Sequence, residues 1–423
     1  MSVTRTLLPD LLRRPTVWIA ALYTAGIAVT LHLALTHRNF LFDYDARFWF
    51  LGGVMWLRGL SPYDHGQFVD LWLREFGSPP AFPSGFVYPG TILPLSLLLG
   101  AFPWSVARHV MRALNLACYG LSLAILHRRF VRDGSLPGQP ARRAFWVAVS
   151  AATPGMGIAI FQGQVAPIVT LGLVLAWTGL AQRRTGLCVL AFVLAGIKPQ
   201  VSLVPLVFLL VRHWHRRAAW AVAAVVALSA LPLLWSTPAG LLEDLRASVG
   251  EHMQQGFNDL SHYDSLPALL GATRLRRLAL WAGIAAGVVA AVLLGCRARL
   301  RAEASWDVRA LQIALVAAAA LMPVHRYDLA VHLLLLATAW ALGPAARGIG
   351  LFALVAAQGA SYWVALRLVR PGAGRTGSWD TYMSVASDIA TAFVAAELIF
   401  LLVLWFADRR RMTTPGPGPK SPF

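Results

Sequence analysis

The sequence predicts an all-α, polytopic integral membrane protein with about 10–12 transmembrane or re-entrant helices and two long outer loops. Three observations carry that reading. The chain has 423 residues, of which 57% belong to the hydrophobic set and only 13% are charged. Mean hydropathy is +0.61. A soluble domain would carry about 25% charged residues, and this composition folded in water would leave large apolar surfaces exposed. Disorder is excluded as well, because 16 Trp and 20 Phe do not belong to a low-complexity chain.

Apolar runs recur along the whole length, each long enough or nearly long enough to cross roughly 30 Å of hydrocarbon. They are Val17–Leu35, Tyr88–Pro103, Trp104–His127, Ala144–Phe161, Val165–Ala181 and Leu187–Val211, followed by Ala218–Trp235, Leu278–Cys296, Ala310–Met322, Leu329–Gly343, Ile349–Val369 and Ile389–Ala407. The first follows Arg5, Arg13 and Arg14 without an obvious small-residue cleavage site, so it reads as an uncleaved helix. The net charge of +18 does not signal nucleic acid. Nearly all cations are arginines in short clusters between apolar runs, which is how the positive-inside rule distributes charge. Cys118, Cys188 and Cys296 lie inside apolar runs and read as small hydrophobes, giving neither a disulfide framework nor a zinc site.

The basic clusters at Arg128–Arg143, Arg183–Arg184, Arg212–Arg217, Arg297–Arg301 and Arg409–Arg411 fix the sides. Placing them inside puts both termini in the cytoplasm of a cell inner (plasma) membrane. Leu187–Val211 then begins and ends beside cytoplasmic clusters. It is expected to be a re-entrant pair of half-helices broken at Lys198-Pro199, with Lys198 at the tip. Tyr88–Pro103, rich in proline, is the other re-entrant candidate. One domain is expected over 1–408, with a disordered cytoplasmic tail at 409–423.

Two outer segments are too long to be connectors. Thr36–Val87 holds Asp43, Asp45, Asp64 and Asp70, with an amphipathic stretch at Arg47–Leu60 suited to the membrane surface. Ser236–Arg277 carries Asp244, His252, Asp259, His262, Tyr263 and Asp264. A carboxylate held near the membrane surface can take a proton from a sugar hydroxyl. Asp45 could equally cap the following helix.

Several short motifs occur in order: Asp45, then Trp49, then Gly59-x-x-Pro62-Tyr63-Asp64; Tyr88-Pro89; Gly163-Gln164-Val165; Lys198-Pro199; Ser265-Leu266-Pro267; and His325-Arg326-Tyr327-Asp328. Together they resemble glycosyltransferase family 87, part of the GT-C superfamily of polyprenyl-phosphate-sugar-dependent mannosyltransferases and related enzymes. Trp49 departs from the family's usual tyrosine. The resemblance implies an inverting transfer of a sugar, mannose or alternatively arabinofuranose, to a glycolipid or cell-envelope glycan at the outer face. The partners are therefore the lipid-linked donor, the acceptor and membrane lipids, with no nucleic acid. Asp45 is the expected base and Asp43 the reserve. The leaving polyprenyl phosphate needs a preorganised cation rather than a general acid.

Lys198 fits that cation role, with snorkelling as the alternative. His325 and Arg326 are candidates for a second contact to phosphate or sugar, or for a loop anchored at the headgroups. Gln164, Tyr88 and Tyr63 complete the candidate substrate site. Arg108 and Arg112, one helical turn apart, pair either with lipid phosphates or with a buried acid. No cofactor or metal is expected, since the spacing of His252 and His262 matches no metal motif. The competing function is a lipid-linked sugar flippase or other transporter. That reading is disfavoured because the acids gather in asymmetric outer loops and no internal repeat is visible.

Overall fold

The computed structural model describes residues 43–78, 85–132, 154–254, 263–269, 273–300, 304–339, 347–355, 357 and 376–413. The first apolar run, Val17–Leu35, lies outside these residues, as do most of Ala144–Phe161 and Ile349–Val369. The described residues are helical, with no strand among them. The helices are α1 (Tyr44–Leu57), α2 (His65–Phe76), α3 (Leu93–Gly100), α4 (Trp104–Arg132), α5 (Pro154–Gln162), α6 (Ala166–Gln182) and α7 (Thr185–Gly196). They continue as α8 (Pro199–Arg212), α9 (Arg216–Ala230), α10 (Pro238–Gln254), α11 (Thr273–Leu300), α12 (Ala304–Leu321), α13 (His332–Thr338) and α14 (Thr376–Thr413).

Trp104–Leu126, Arg277–Leu300 and Ser384–Ala407 are each long and apolar enough to cross a membrane. Each has most of its surface facing outward, as expected of helices solvated by lipid. Shorter apolar helices at Ala166–Gln182, Thr185–Gly196 and Pro199–Arg212 form the packed interior. The protein is an all-α polytopic membrane protein. Its last helix runs through Arg409–Arg411 to Thr413.

The break at Lys198 falls where the sequence places it. Gly196 ends α7, and Pro199, which has no N–H to leave unsatisfied, takes the first position of α8. Helix α7 packs on α6 and α9, whereas α8 packs on α11 and α12. The second outer segment begins with a helix, α10, whose Pro238–Gly250 part leaves Ala218–Leu234 at 97°.

The expectation of an amphipathic surface helix at Arg47–Leu60 is overturned. Helix α1 starts at Tyr44 and is enclosed nearly all round, with Trp49, Leu51 and Met55 fully buried. Its polar stripe is too thin to face water; Gly52 and Gly53 interrupt it and let neighbours close in. A Cβ on Gly53 would stand 1.7 Å from the Ser96 carbonyl oxygen of α3. Around α1 the rings of Tyr44, Phe48, Phe68, Trp72 and Phe76 pack at centroid distances of 5.0–6.4 Å, geometry typical of aromatic clusters.

Candidate active site

The site is assembled where the N-terminal turn of α1 meets the α5–α6 turn, the α7–α8 break and the segment after α12. The α5–α6 turn is formed by Gly163, whose φ of +70° is the left-handed region that favours glycine. A Cβ there would lie 2.5 Å from Ala46 Cβ. That close approach lets Trp49 Nε1 donate to the Gly163 carbonyl at 2.9 Å. It also sets Asp45, on the same face of α1 as Trp49, beside Gln164. Asn115 Nδ2 donates to the Gln164 carbonyl at 2.9 Å and pins the turn to α4.

Lys198 Nζ donates to Gln164 Oε1 at 3.2 Å and stands 2.6 Å from Asp328 Oδ1. Lys198 and Asp328 are both almost fully buried, so this is an ion pair in a dry setting. Asp328 Oδ2 also accepts from the His325 backbone N–H at 3.1 Å. This bond caps the 3-10 helix Arg326–Val331 and holds the carboxylate toward Lys198. The Asp264 N–H donates to the Val324 carbonyl at 2.8 Å, fastening the end of the second outer segment here. The Tyr263 ring then stacks on His325 at 4.3 Å.

Asp45 is half-buried. Burial pushes its carboxyl up to about 6; the neighbouring Gln164 amide and the Lys198 charge oppose the rise, and the Asp328 charge adds to it. A carboxylate tuned to that range is ionised at neutral pH yet basic enough to accept a proton. The capping reading of Asp45 does not hold, since the cap position belongs to Asp43 and Asp45 lies inside the first turn.

The structure therefore brings Asp45, Gln164, Lys198 and His325 together with Tyr88, whose ring meets Trp49 at a centroid distance of 3.9 Å. Tyr63 stands behind them. Its buried hydroxyl donates to the Tyr88 carbonyl at 2.7 Å, so it braces Tyr88 rather than lining the site. Asp43 is engaged elsewhere, accepting two bonds from Arg112, one from Nε at 3.0 Å and one from Nη2. Burial raises its carboxyl, and the charges of Arg112, Arg108 and Arg47 oppose that. The side chains of Arg326, His252, Asp259 and His262 lie outside the described residues. From sequence Asp328 stands only as the end of a motif, and Asp264 only as an acid of the second outer segment, neither with a role in this site. The signal available was Asp328's place at the end of the His325–Asp328 motif, opposite a buried lysine that needed an anion.

A family model for glycosyltransferase family 87 matches residues 86–325. That is more than half of the chain. The chain belongs to glycosyltransferase family 87. Comparisons with curated proteins and with solved structures found no match. As a family 87 glycosyltransferase, the protein takes a sugar donor and an acceptor. The match includes Tyr88, Gln164, Lys198 and His325 and ends before Asp328, while Asp45 precedes it. The two ends of the site, Asp45 and Asp328, are thus tied to the matched region by the fold.

Proposed function

We propose that the protein transfers a sugar, mannose in the first instance, from a polyprenyl-phosphate donor to a glycolipid or cell-envelope glycan, with inversion at the anomeric carbon and Asp45 as the base. The observation that carries this reading is Asp45 itself: a carboxylate with raised proton affinity, set beside Gln164 and within the field of Lys198 and Asp328. Asp45 takes the proton from the acceptor hydroxyl as its oxygen bonds to C1. The bond from C1 to the phosphate oxygen breaks with its electron pair, and the polyprenyl phosphate leaves with one more negative charge. No general acid is needed for a leaving group of that kind.

In this reading Lys198 serves the base side. Its charge is matched by Asp328, and its amine holds the Gln164 side chain beside Asp45. Aromatic faces at Tyr88 and Tyr263, with His325, suit the apolar faces of a sugar ring. The test is transfer by purified protein in lipid nanodiscs, with polyprenyl-phosphate mannose and arabinofuranose donors and a panel of glycolipid acceptors. Transfer with inverted product stereochemistry supports the reading. Retention of configuration, or donor translocation without transfer, overturns it.

A further inference from the structure

Helix α10 leaves an apolar segment at a right angle and shows three different faces. The segment before it, Ala218–Leu234, turns Trp220 and Val226 outward, as a helix solvated by lipid does. The 97° bend then turns α10 into the membrane plane. Trp235 stands at the corner and meets Trp56 at 6.3 Å between ring centroids. Tryptophans gather at the level of the headgroups.

Helical register assigns the faces. At about 100° per residue, Leu241, Leu245 and Ser248 share one side of α10. Leu241 and Leu245 pack on the core, and Ser248 is fully buried, its hydroxyl donating to the Tyr63 carbonyl at 3.2 Å. Leu242 and Val249 lie about 20° from one another and roughly 110° from Ser248. They are 50% and 43% exposed. Arg246 is exposed beside them, and past it come Glu243, also exposed, and then Asp244, on which the Asp64 charge acts.

The chain itself points to what covers Leu242 and Val249. Exposed aliphatic side chains run from the end of the apolar segment, at Leu233 and Leu234, into α10 at Leu242 and Val249. Hydrocarbon that solvates the first pair is within reach of the second. Arg246 lies between the aliphatic strip and the acids, where a guanidinium reaches headgroup phosphates while its stem stays in apolar surroundings. Glu243 and Asp244 lie on the far side, away from phosphate and toward water.

We propose that α10 is a membrane-surface helix, with Leu242 and Val249 in the acyl boundary of a phospholipid leaflet and Arg246 on its headgroup phosphates. The surface role expected of Arg47–Leu60 thus falls to α10. Its seat also reaches the candidate site. Ser248 holds the Tyr63 carbonyl, and the Tyr63 hydroxyl donates to the Tyr88 carbonyl at 2.7 Å. Gly85 permits that approach, since a Cβ there would stand 2.6 Å from Ser248 Oγ. A leaflet that fixes α10 therefore fixes the level of Tyr88.

The experiment is spin-label relaxation on full-length protein in nanodiscs of phosphatidylcholine and phosphatidylglycerol. Leu242→Cys, Glu243→Cys and Val249→Cys are labelled one at a time in a background without Cys118, Cys188 and Cys296. Labels at 242 and 249 should relax with oxygen and not with a water-soluble nickel chelate, at about 5–10 Å below the phosphates. The label at 243 should show the reverse. Adding Arg246→Gln to Leu242→Cys should raise chelate access at 242. Chelate access at both 242 and 249 in the unaltered background overturns the surface, since α10 then stands in water. Depth that increases from 242 to 249 past about 10 Å overturns it in favour of a re-entrant helix. Dipolar broadening between molecules, with neither reagent admitted, overturns it in favour of a second copy of this chain. An unmoved label at 242 in the Arg246→Gln variant overturns the headgroup contact. Depth is read without donor or acceptor, so the membrane surface and the transfer reaction fail or stand separately.

Discussion

Lys198 and Asp328, 130 positions apart in the chain, meet at 2.6 Å with both side chains nearly fully buried. The pair joins the α7–α8 break to the segment that follows α12, and through Gln164 it reaches Asp45. Breaking a buried pair from one side strands a charge at a cost of about 3–5 kcal/mol, whereas removing both partners costs far less. Lys198→Met and Asp328→Leu should each lower the thermal unfolding temperature in detergent strongly. The double variant should recover much of the loss while remaining inactive. Additive losses in the double variant would mean that the two groups do not interact.

Asp45→Asn should abolish transfer while expression and donor binding persist, because the amide keeps the shape but accepts no proton at working pH. The measurement is turnover beside donor affinity on the same preparation. Full turnover would dismiss Asp45 as base. Asp43→Asn should instead lower the thermal unfolding temperature, since it strands Arg112 and loosens the start of α1.

The pH profile follows from the raised proton affinity of Asp45. Its carboxyl titrates at about 6, and only the ionised form can take the acceptor's proton. The rate constant kcat/KM should therefore rise with pH through about 6 and level off above it. Gln164→Leu removes an amide whose place beside Asp45 favours the ionised form, so the same limb should move to higher pH. A limb that stays in place in Gln164→Leu would detach Gln164 from the base.

Gly163→Ala should reduce activity sharply without unfolding the bundle. Its φ of +70° and the 2.5 Å approach to Ala46 Cβ both resist a side chain, together costing about 1–3 kcal/mol. Helix α1 must shift, which carries Asp45 away from Gln164. Adding Ala46→Gly relieves the contact but not the backbone strain, so partial recovery of turnover is expected in the double variant.

The outer segments, Thr36–Val87 and Ser236–Arg277, should react with an impermeant thiol reagent from the exterior when single cysteines are introduced. The background for this test replaces Cys118, Cys188 and Cys296. Labelling at Ser135 should require access from the cytoplasm, and labelling from outside would invert the topology.

The helical membrane architecture was legible because hydropathy is a local property summed over about 20 residues. The break at Lys198 was legible for a similar reason, since a lysine followed by proline inside an apolar run interrupts a helix wherever it sits. The burial of α1 was not. Its sequence reads as amphipathic, and only the glycines that admit α3 and the α5–α6 turn convert its faces into contacts. The packing of the two halves at Lys198 was not legible either, because loop charge counts crossings without saying which helices a half-helix packs against.

By itself the sequence determined the solvent, the helical class, and the residues whose chemistry is costly inside a membrane: Asp45, Lys198 and the arginines of α4. It left each of them without a partner. Tertiary structure decided the pairing, giving Lys198 to Asp328 and Gln164, and Arg112 to Asp43. The physical reason is that composition and hydropathy are set by neighbours in the chain, whereas a charge in a low-dielectric interior is governed by what stands within a few ångströms of it, from any element.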